Sequence, residues 1–481
     1  MGEIIKKNIA IIGAGIIGCA AARELCRYRG SVIVIEKEAD VSLGTTKGNS
    51  GIIHAGYAGD KGTLRFKLSH RGNVLFRKYA PELDIHIKNT GSLAHVQKKS
   101  QLSILEELLE NGKKNGAVGL EIITDSDTIK KIEPNIGRNI YASLHAREAC
   151  IISPYEAAIA LYENAKRNLV DFLFGSKVTD ISYDKSRKTF FIKTPSQTIE
   201  ADFVINAAGV HSDDIARMIG DKSFYISPYR GQYLLFDSEA GEFVNCINFR
   251  VSAGKSKGIT IVPTIDGNLL IGPNYEKTCK DGSITTVEGL EEVRGKASQI
   301  FPDLPYEKII TSFSGLRAIS GIDDFIISSS CENKRFINAA GIQSPGLTCA
   351  FVIAEIIIEI LKDLGAGLKK NSKFIPVRKK VPRFDMANIS KNKKLFKINN
   401  QYSNIICRCE KVTEAEIVGA IKSGATTVDG IKFRTRAGMG RCQGGYCRLR
   451  VMKILSRELK IPFEKVTKSG KGSYIAGDRM N

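Results

Sequence analysis

Several features that define other classes of protein are missing from this chain of 481 residues. No apolar run reaches the roughly 18–20 residues that cross a bilayer, and the best candidate, Phe351–Leu361, is interrupted by Glu355 and Glu359. A cleavable leader is not expected, because a lysine pair runs directly into the apolar segment Asn8–Ile12. The 11 cysteines are too few for a disulfide scaffold at this length and are odd in number. We therefore expect a folded protein of the reducing cytoplasm, where thiols are available to bind metal.

The chain carries an excess of positive charge, +20 by formal count, but no recognisable nucleic-acid-binding fold or motif of stacking aromatics. Its lysines are spread along the sequence, so we expect no nucleic-acid partner. One local concentration is Lys369–Lys397, with eleven Lys or Arg residues against the single acid Asp385. We interpret it as part of a solvated linker. The alternative is a docking strip for an acidic partner or an anionic membrane surface.

The N-terminal segment has the pattern of a dinucleotide-binding unit. Asn8–Ile12 predicts a strand, Ile16–Tyr28 a helix and Ser31–Glu36 a second strand, and a G-x-G-x-x-G turn joins the first strand to the helix. The second strand ends in a carboxylate, 23 residues after the first glycine, where it would accept a hydrogen bond from a ribose hydroxyl. The glycines permit a tight turn, approach of the backbone to a pyrophosphate and packing of helix on strand, and they are Gly13, Gly15 and Gly18.

Four cysteines near the end of the chain form two closely spaced pairs, C-x-C and C-x-x-x-x-C. Four thiolates can hold an iron–sulfur cluster, which transfers one electron at a time. A structural zinc site is the alternative, although zinc sites of four cysteines usually contain C-x-x-C pairs. Together with the nucleotide unit, the pairs predict a redox enzyme in which electrons pass between two cofactors of the same chain. The four residues are Cys407, Cys409, Cys442 and Cys447.

The rest of the chain mixes predicted helices and strands with a β-rich block. That block covers Tyr233–Phe236, Ile259–Val262 and Leu269–Ile271 and contains an Asp-Gly hairpin signal. The chain is too long for a single core. We predict an α/β fold, α+β overall. In it a Rossmann-type nucleotide domain is interrupted by an antiparallel-sheet substrate domain and followed by a small helical C-terminal domain.

The order of the motifs resembles that of the D-amino-acid-oxidase-like FAD oxidoreductases. After the glycine turn come NSGIIHAGY at Asn49–Tyr57, VINAAGVHSDDIARMIG at Val204–Gly220, GLRA at Gly315–Ala318 and NAAGIQSPGLT at Asn338–Thr348. Within this superfamily the chain is most similar to the glycerol-3-phosphate dehydrogenase group, especially its anaerobic, iron–sulfur-containing bacterial forms. The L-2-hydroxyglutarate dehydrogenases share the NSG-x-I-H-A-G and G-x-R-A patterns almost equally well.

The C-terminal tail resembles bacterioferritin-associated-ferredoxin-like [2Fe–2S] modules, which have C-x-C, a gap of similar length and then C-x-x-x-x-C; here the gap is 32 residues. The two resemblances divide the chain into regions. Residues 1–365 would be the FAD-dependent part, with FAD-binding portions at about 1–90, 150–225 and 326–365 and a substrate domain at about 91–149 and 226–325. Residues 366–400 would be a basic linker and residues 401–481 the [2Fe–2S] domain.

The resemblance implies FAD and a [2Fe–2S] cluster as cofactors. Five arginines crowd the cysteines in sequence, namely Arg408, Arg434, Arg436, Arg441 and Arg448, and nearby positive charge should raise the potential of the cluster. The implied FAD-binding residues are Gly13, Ala14, Gly15, Ile17, Gly18, Glu36, Lys37, Asn49, Ser50, Gly51, Val178, Ala208, Gly209, Gly341, Ile342, Ser344, Gly346, Leu347 and Thr348.

Two residues are the candidates for catalysis. His54 lies in the loop that, by resemblance, runs along the flavin ring, and an imidazole can take a proton near neutrality. It would be either the base or a residue that only orients flavin or substrate. Arg317 would anchor a phosphate or carboxylate through its planar fork, with an ordinary interior salt bridge as the alternative. Arg230, Lys255 and Lys257 would add phosphate contacts.

The family resemblance implies oxidation of sn-glycerol 3-phosphate to dihydroxyacetone phosphate, with electrons leaving through the cluster. One alternative is a dehydrogenase of L-2-hydroxyglutarate or of another 2-hydroxy or amino acid; the other is an electron-transfer subunit without its own substrate. The expected partners are a small anionic hydroxylated substrate and an acceptor, either a flavoprotein, a ferredoxin or a quinone system. Hetero-oligomer formation and peripheral contact with the inner face of the cell membrane are compatible with these expectations.

Overall fold

The computed structural model describes residues 4–251 and 258–477. These residues form two large sheets, a three-stranded sheet and a C-terminal module with a two-stranded hairpin. The α-helices are Ile16–Leu25, Leu64–Tyr79, Leu102–Lys114, Ser126–Ile132, Pro154–Arg167, Ser212–Arg217, Val287–Ser298, Gly346–Asp363, Ile389–Ile398, Glu414–Lys422, Val428–Thr435 and Arg448–Leu459.

The first large sheet has eight strands and contains the predicted nucleotide unit. Ile4–Ile12 lies between Val32–Ile35 and Thr198–Asn206 and is parallel to both. Thr198–Asn206 has two partners on its other side: it pairs antiparallel with Thr189–Lys193 over its first half and parallel with Phe336–Ala340 over its second. The remaining strands are Asp171–Leu173, Asp180–Asp184 and Ile326–Ser329.

The parallel strands are buried on both faces, as continuous runs of Ile, Val and Ala predict. Ile9 and Ile11 contribute to one core, beneath the helices Ile16–Leu25, Pro154–Arg167 and Gly346–Asp363. The alternate residues Ala10 and Ile12 contribute to the core on the other face. Because the carboxyl ends of parallel strands meet at one edge, ligands of such sheets bind in the crevice outside that edge.

The second large sheet has nine strands and is antiparallel except where Ile247–Arg250 pairs with Ser92–Val96. Its longest strands are Ile226–Phe236 and Ile309–Ser320, which pair along their length. The predicted Asp266-Gly267 turn lies between Thr260–Pro263 and Leu269–Gly272, with Gly267 at φ +83°. These observations confirm the predicted fold class. The other strands are Leu120–Ile123, Ala142–Ala146 and Glu276–Lys277.

Two small sheets complete the described part. Ile52–Ile53 and Ile87–Asn89 both pair with Cys150–Ile152. In the C-terminal module, Ile405–Cys407 pairs with Val412–Thr413 and leads into the helix Glu414–Lys422. The side chain of Thr413 caps that helix while Glu416 reaches back to the Thr413 backbone N–H over 2.8 Å, which is a capping box.

The basic segment 366–400 differs from the solvated linker that we predicted. Its first half packs against the helix Pro154–Arg167: Arg378 pairs with Glu163 at 2.6 Å and Lys380 pairs with Glu156 at 2.9 Å. The carbonyls of Ile375 and Pro376 accept hydrogen bonds from a buried asparagine of that helix. Acidic residues of the FAD-binding part therefore neutralise this charge and hold the segment in place. The lysines of the helix Ile389–Ile398 stay exposed.

Within the described ranges, no helix combines the length and the apolar character that crossing a membrane requires. The candidate noted in the sequence belongs to Gly346–Asp363, which buries Phe351, Ile357 and Leu361 against the first sheet's core and leaves Glu359 in solvent. It is a core helix with one polar side, as its interruptions by glutamate predict.

Candidate functional site

A cavity of about 1830 Å³ lies between the two large sheets and reaches the carboxyl edge of the parallel strands. This volume exceeds the roughly 300–1,000 Å³ of a common small-molecule pocket, so it has room for a dinucleotide and a small substrate together. Most of the predicted FAD-binding residues line it: Gly13, Gly15, Ile17, Glu36, Lys37, Asn49, Ser50, Val178, Ala208, Gly209, Ile342, Ser344, Gly346 and Leu347.

The glycine turn is tightly packed where it meets the sheet and open where it meets the cavity. A Cβ added to Gly13, which has φ +104°, would lie 2.4 Å from the Ala207 carbonyl oxygen. A Cβ added to Gly18 would lie 1.9 Å from the Gly13 carbonyl oxygen. At Gly15 the nearest atom would be the Thr46 Oγ1 at 3.3 Å. The first and third glycines thus serve packing, and the second leaves the start of the helix accessible to a pyrophosphate.

Glu36 lies at the end of its strand on the cavity wall. Its carboxylate accepts hydrogen bonds from the backbone N–H groups of Ala14 at 2.6 Å and Glu38 at 2.9 Å. Burial raises the pKa of Glu36, and these two hydrogen bonds oppose the rise. Oxygen lone pairs remain for a ribose hydroxyl, which agrees with the predicted role.

The loop after the second strand is fixed from both sides. Thr46 Oγ1 accepts from the Ile16 N–H at the start of the first helix, and Asn49 donates to the Thr46 carbonyl at 2.7 Å. Gly48 touches Gly315 of the second sheet so closely that a Cβ on Gly315 would lie 1.8 Å from the Gly48 carbonyl oxygen. This contact joins the loop that leads into NSG to the strand that carries GLRA, and both segments line one cavity.

His54 lines the same cavity and is half-buried. Its backbone is held at both ends: its N–H donates to Thr348 Oγ1 at 3.0 Å, and its carbonyl accepts from Asn73 Nδ2 at 3.1 Å. Thr348 lies in the first turn of the helix Gly346–Asp363, and Ser344, two positions before that helix, also lines the cavity. The imidazole and the helix N-terminus are thereby placed at the same end of the cavity.

Arg317 also lines the cavity, from the strand Ile309–Ser320. Its Nη1 donates to the Asn274 carbonyl at 3.1 Å, and its guanidinium carbon lies 5.3 Å from the centre of the Tyr275 ring. Within residues 4–251 and 258–477 no carboxylate lies within ion-pair distance of it. The interior salt bridge that we considered as the alternative is therefore absent there, and the remaining guanidinium N–H groups can bind an anion.

Not every candidate reaches the cavity. Arg230 does not line it, because its guanidinium is buried and paired with Glu276 and also donates to the Ile284 carbonyl at 3.0 Å. The proposed phosphate contact from this arginine is thus wrong. Lys255 and Lys257 lie outside the described residues. Five predicted FAD-binding residues lie behind the cavity wall and support it: Ala14, Gly18, Gly51, Gly341 and Thr348.

An aromatic wall beside Arg317 was not predicted. Tyr229 and Tyr275 stack with ring centres 4.5 Å apart, and Tyr233 stacks on Phe313 at 4.9 Å. The signal in the sequence was the alternation Tyr229, Gly231, Tyr233, because alternate residues of a strand share one face. The glycine makes room for the guanidinium, since a Cβ there would lie 2.8 Å from the Arg317 Nη2.

The four candidate cluster cysteines come together as two pairs. Cys409 Sγ lies 3.7 Å from Cys442 Sγ, and the Cys447 thiol donates to Cys407. This contact is the main cause that lowers the pKa of Cys407 to about 6. Backbone N–H groups of Tyr446 and Gly444 lower the pKa of Cys442. Thiolates that accept hydrogen bonds are the ligands iron–sulfur clusters require.

Two pairs suit a [2Fe–2S] cluster, in which each of two irons takes two protein ligands. A zinc ion would need all four ligands around one point. The arrangement therefore favours the cluster over the zinc alternative.

Three of the arginines near the cysteines bind the rest of the chain. Arg434 and Asp40 are both buried, and Arg434 Nη2 donates to Asp40 Oδ1 at 2.8 Å. Arg436 pairs with Asp266 at 2.6 Å. The third, Arg441, pairs with carboxylates after the strand Ile226–Phe236. Carboxylates compensate the charges of these three arginines. We therefore expect Arg408 and Arg448 to provide most of any rise in the reduction potential of the cluster.

We expect the variant Cys442→Ser to lose the cluster, because one iron would keep a single thiolate ligand. The visible absorption and the EPR signal of the reduced cluster should disappear after anaerobic reconstitution, while the FAD content stays at one per chain. Cys279→Ser is the matched control, since Cys279 is exposed and lies outside the module. A cluster that survives at full occupancy in Cys442→Ser would contradict this ligand set.

The comparisons with known proteins agree with this geometry. Residues 8–360 match the DAO family, FAD dependent oxidoreductase, and residues 405–457 match the BFD-like [2Fe-2S] binding domain. The chain therefore belongs to the DAO family of FAD-dependent oxidoreductases and carries a [2Fe–2S]-binding domain after it. The family and both cofactors that the sequence predicted are confirmed.

Individual relatives show which members of this family the chain is similar to. The chain is 42% identical to the glycerol 3-phosphate dehydrogenase of Caloramator mitchellensis, over 97% of this chain and 98% of that protein. It is 30% identical to the glycerol 3-phosphate oxidase of Mycoplasma genitalium, over 74% of this chain and 94% of that protein. The dithionite-reduced L-alpha-glycerophosphate oxidase of Mycoplasma pneumoniae with FAD bound superposes with a TM-score of 0.74 at 26% identity, covering 77% of this chain and 98% of that one.

Proposed function

We propose that this chain is a dehydrogenase that oxidises sn-glycerol 3-phosphate to dihydroxyacetone phosphate and passes the electrons singly through its [2Fe–2S] cluster to a separate acceptor. The observation that carries the proposal is Arg317, a cation that lines the same cavity as His54 and whose fork is not neutralised by a carboxylate of the described residues. Full-length similarity to a glycerol 3-phosphate dehydrogenase supports the same substrate.

The residues divide the reaction between them. Arg317 binds the phosphate dianion through two parallel hydrogen bonds, and the tyrosines beside it cover the carbon chain. His54 takes the proton of the secondary hydroxyl or orients that hydroxyl. The glycine turn and the NSG loop would hold FAD, which would supply the hydride acceptor for this oxidation. The N–H groups at the start of the helix Gly346–Asp363 favour negative charge that develops next to them.

The [2Fe–2S] module accounts for the fate of the two electrons. One substrate molecule supplies two, and a cluster of this type carries one at a time, so two successive transfers to the acceptor complete a turnover. We propose an electron-carrier protein as that acceptor. The exposed lysines of the helix Ile389–Ile398 remain the candidate contact with an anionic membrane surface.

An anaerobic substrate panel tests the proposal. Glycerol 3-phosphate should bleach the flavin absorbance of the purified holoenzyme and then give the EPR signal of the reduced cluster. L-2-hydroxyglutarate and amino acids are the matched competitors, since a guanidinium also binds a carboxylate. Bleaching by one of them alone would overturn the substrate assignment. Bleaching by none, with dithionite still reducing the flavin, would favour an electron-transfer subunit.

A further inference from the structure

The C-terminal module has a second set of cations, which differs from the arginines that dock it. These residues point to solvent, and within residues 4–251 and 258–477 no aspartate or glutamate lies within ion-pair distance of any of them. We name this set the outer basic face. It consists of Arg408, Lys411, Arg448, Arg450 and Lys453. The charges of Arg434, Arg436 and Arg441 are thus neutralised within the chain, whereas the charges of these exposed residues are not.

The outer basic face flanks the candidate cluster ligands. Arg408 precedes Cys409, which is itself exposed. Apolar side chains stand among the cations: Tyr446 is 87% exposed and Leu449 is 60% exposed. The backbone N–H of Tyr446 donates to Cys442. A protein that covered Tyr446 and Leu449 would therefore lie next to a sulfur ligand of the cluster.

We propose that the outer basic face is the docking surface for an acidic electron-carrier protein that takes single electrons from the cluster. The transfer makes and breaks no bond: the reduced cluster loses one electron, the carrier gains it, and the cycle repeats for the second electron. Apolar residues next to unpaired cations suit a transient complex. The positive charge repels basic proteins and steers an acidic protein toward the surface. This inference deepens the proposed function by naming the class of acceptor and its place of contact.

Two small redox proteins of opposite charge serve as probes. Rubredoxin is acidic and cytochrome c is basic, and both accept one electron. The holoenzyme is reduced with dithionite under anaerobic conditions, so that no substrate is needed, and stopped-flow absorbance follows oxidation by each probe. The test variant is Arg450→Glu/Lys453→Glu on the exposed side of the last helix. The matched control is Lys185→Glu/Arg187→Glu, which makes the same charge change in an exposed turn of the first sheet.

We expect the second-order rate with rubredoxin to fall by about tenfold or more in the test variant and the rate with cytochrome c to rise. Both changes should vanish near 1 M salt, where the Debye length is about 3 Å. The control should change neither rate by more than about twofold. Loss of both rates together, no change in either, or an equal effect in the control would overturn the docking surface. Because dithionite and not glycerol 3-phosphate reduces the enzyme here, these outcomes do not test the substrate assignment. The anaerobic substrate panel tests that assignment separately.

Discussion

Replacing Arg317 by leucine should lower kcat/KM for glycerol 3-phosphate by roughly 10²–10⁴-fold, since two charged hydrogen bonds to the phosphate would be lost and each is worth about 1.5–3 kcal/mol. Anaerobic bleaching of the flavin by increasing substrate measures the loss. Lysine at this position keeps the charge without the fork, so Arg317→Lys should fall between wild type and Arg317→Leu.

The matched control is Arg147→Leu, which removes an exposed arginine that follows the strand Ala142–Ala146, pairs with Glu121 and lies outside the cavity. It should keep the wild-type kcat/KM. In both variants dithionite should still bleach the flavin, which separates loss of substrate binding from loss of cofactor. If Arg317→Leu retained more than about a tenth of the wild-type kcat/KM, the phosphate anchor would have to be another residue.

Replacing Asp40 by alanine should weaken the docking of the C-terminal module by about 3–5 kcal/mol, because the buried Arg434 charge would lose its partner. The Asp40 and Arg434 side chains are only 5% and 4% exposed, so water cannot replace the ion pair. Undocking would expose the segment 366–400 to protease. The rate of cleavage there under native conditions reports the population of the undocked form, and it should rise by at least a hundredfold.

Two further variants make this prediction specific. Arg441→Ala removes an arginine that is 60% exposed, so its effect on cleavage should be much smaller. The double variant Asp40→Leu/Arg434→Met replaces both charges by apolar groups of similar volume and should restore most of the protection. Equal cleavage of Asp40→Ala and Arg441→Ala would contradict the role of the buried pair.

Much of the cofactor chemistry could be predicted because it depends on short stretches of chain. Gly13 and Gly18 are required by contacts with each other and with the neighbouring strand. The cysteines of C-x-C and C-x-x-x-x-C lie close in sequence, so the possible ligand sets were few. The role of Arg317 was predicted from the family resemblance. The alternation of tyrosines in the neighbouring strand was visible in the sequence, but no prediction was made from it.

The ion pairs could not be predicted, because each joins residues far apart in sequence. Arg230 is neutralised by Glu276, 46 positions away, and the pairs Arg434–Asp40 and Arg441–Asp237 span 394 and 204 positions. The sequence of an arginine-rich segment does not show whether its charges face solvent or pair with another part of the chain. For this reason a segment that is packed against the rest of the chain was predicted to be a solvated linker.

The docked tail also controls how the nucleotide can leave. Ser469 forms part of the cavity wall, and the adjacent Gly470 lies so close to Ala39 that a Cβ on it would be 2.9 Å from the Ala39 Cβ. The tail thus covers the end of the cavity that faces Glu36 and its neighbours. By mass action, a cofactor that binds only when this wall is in place would stabilise the docked tail. We therefore expect retention of the yellow chromophore to depend on the iron–sulfur domain as well as on the nucleotide fold.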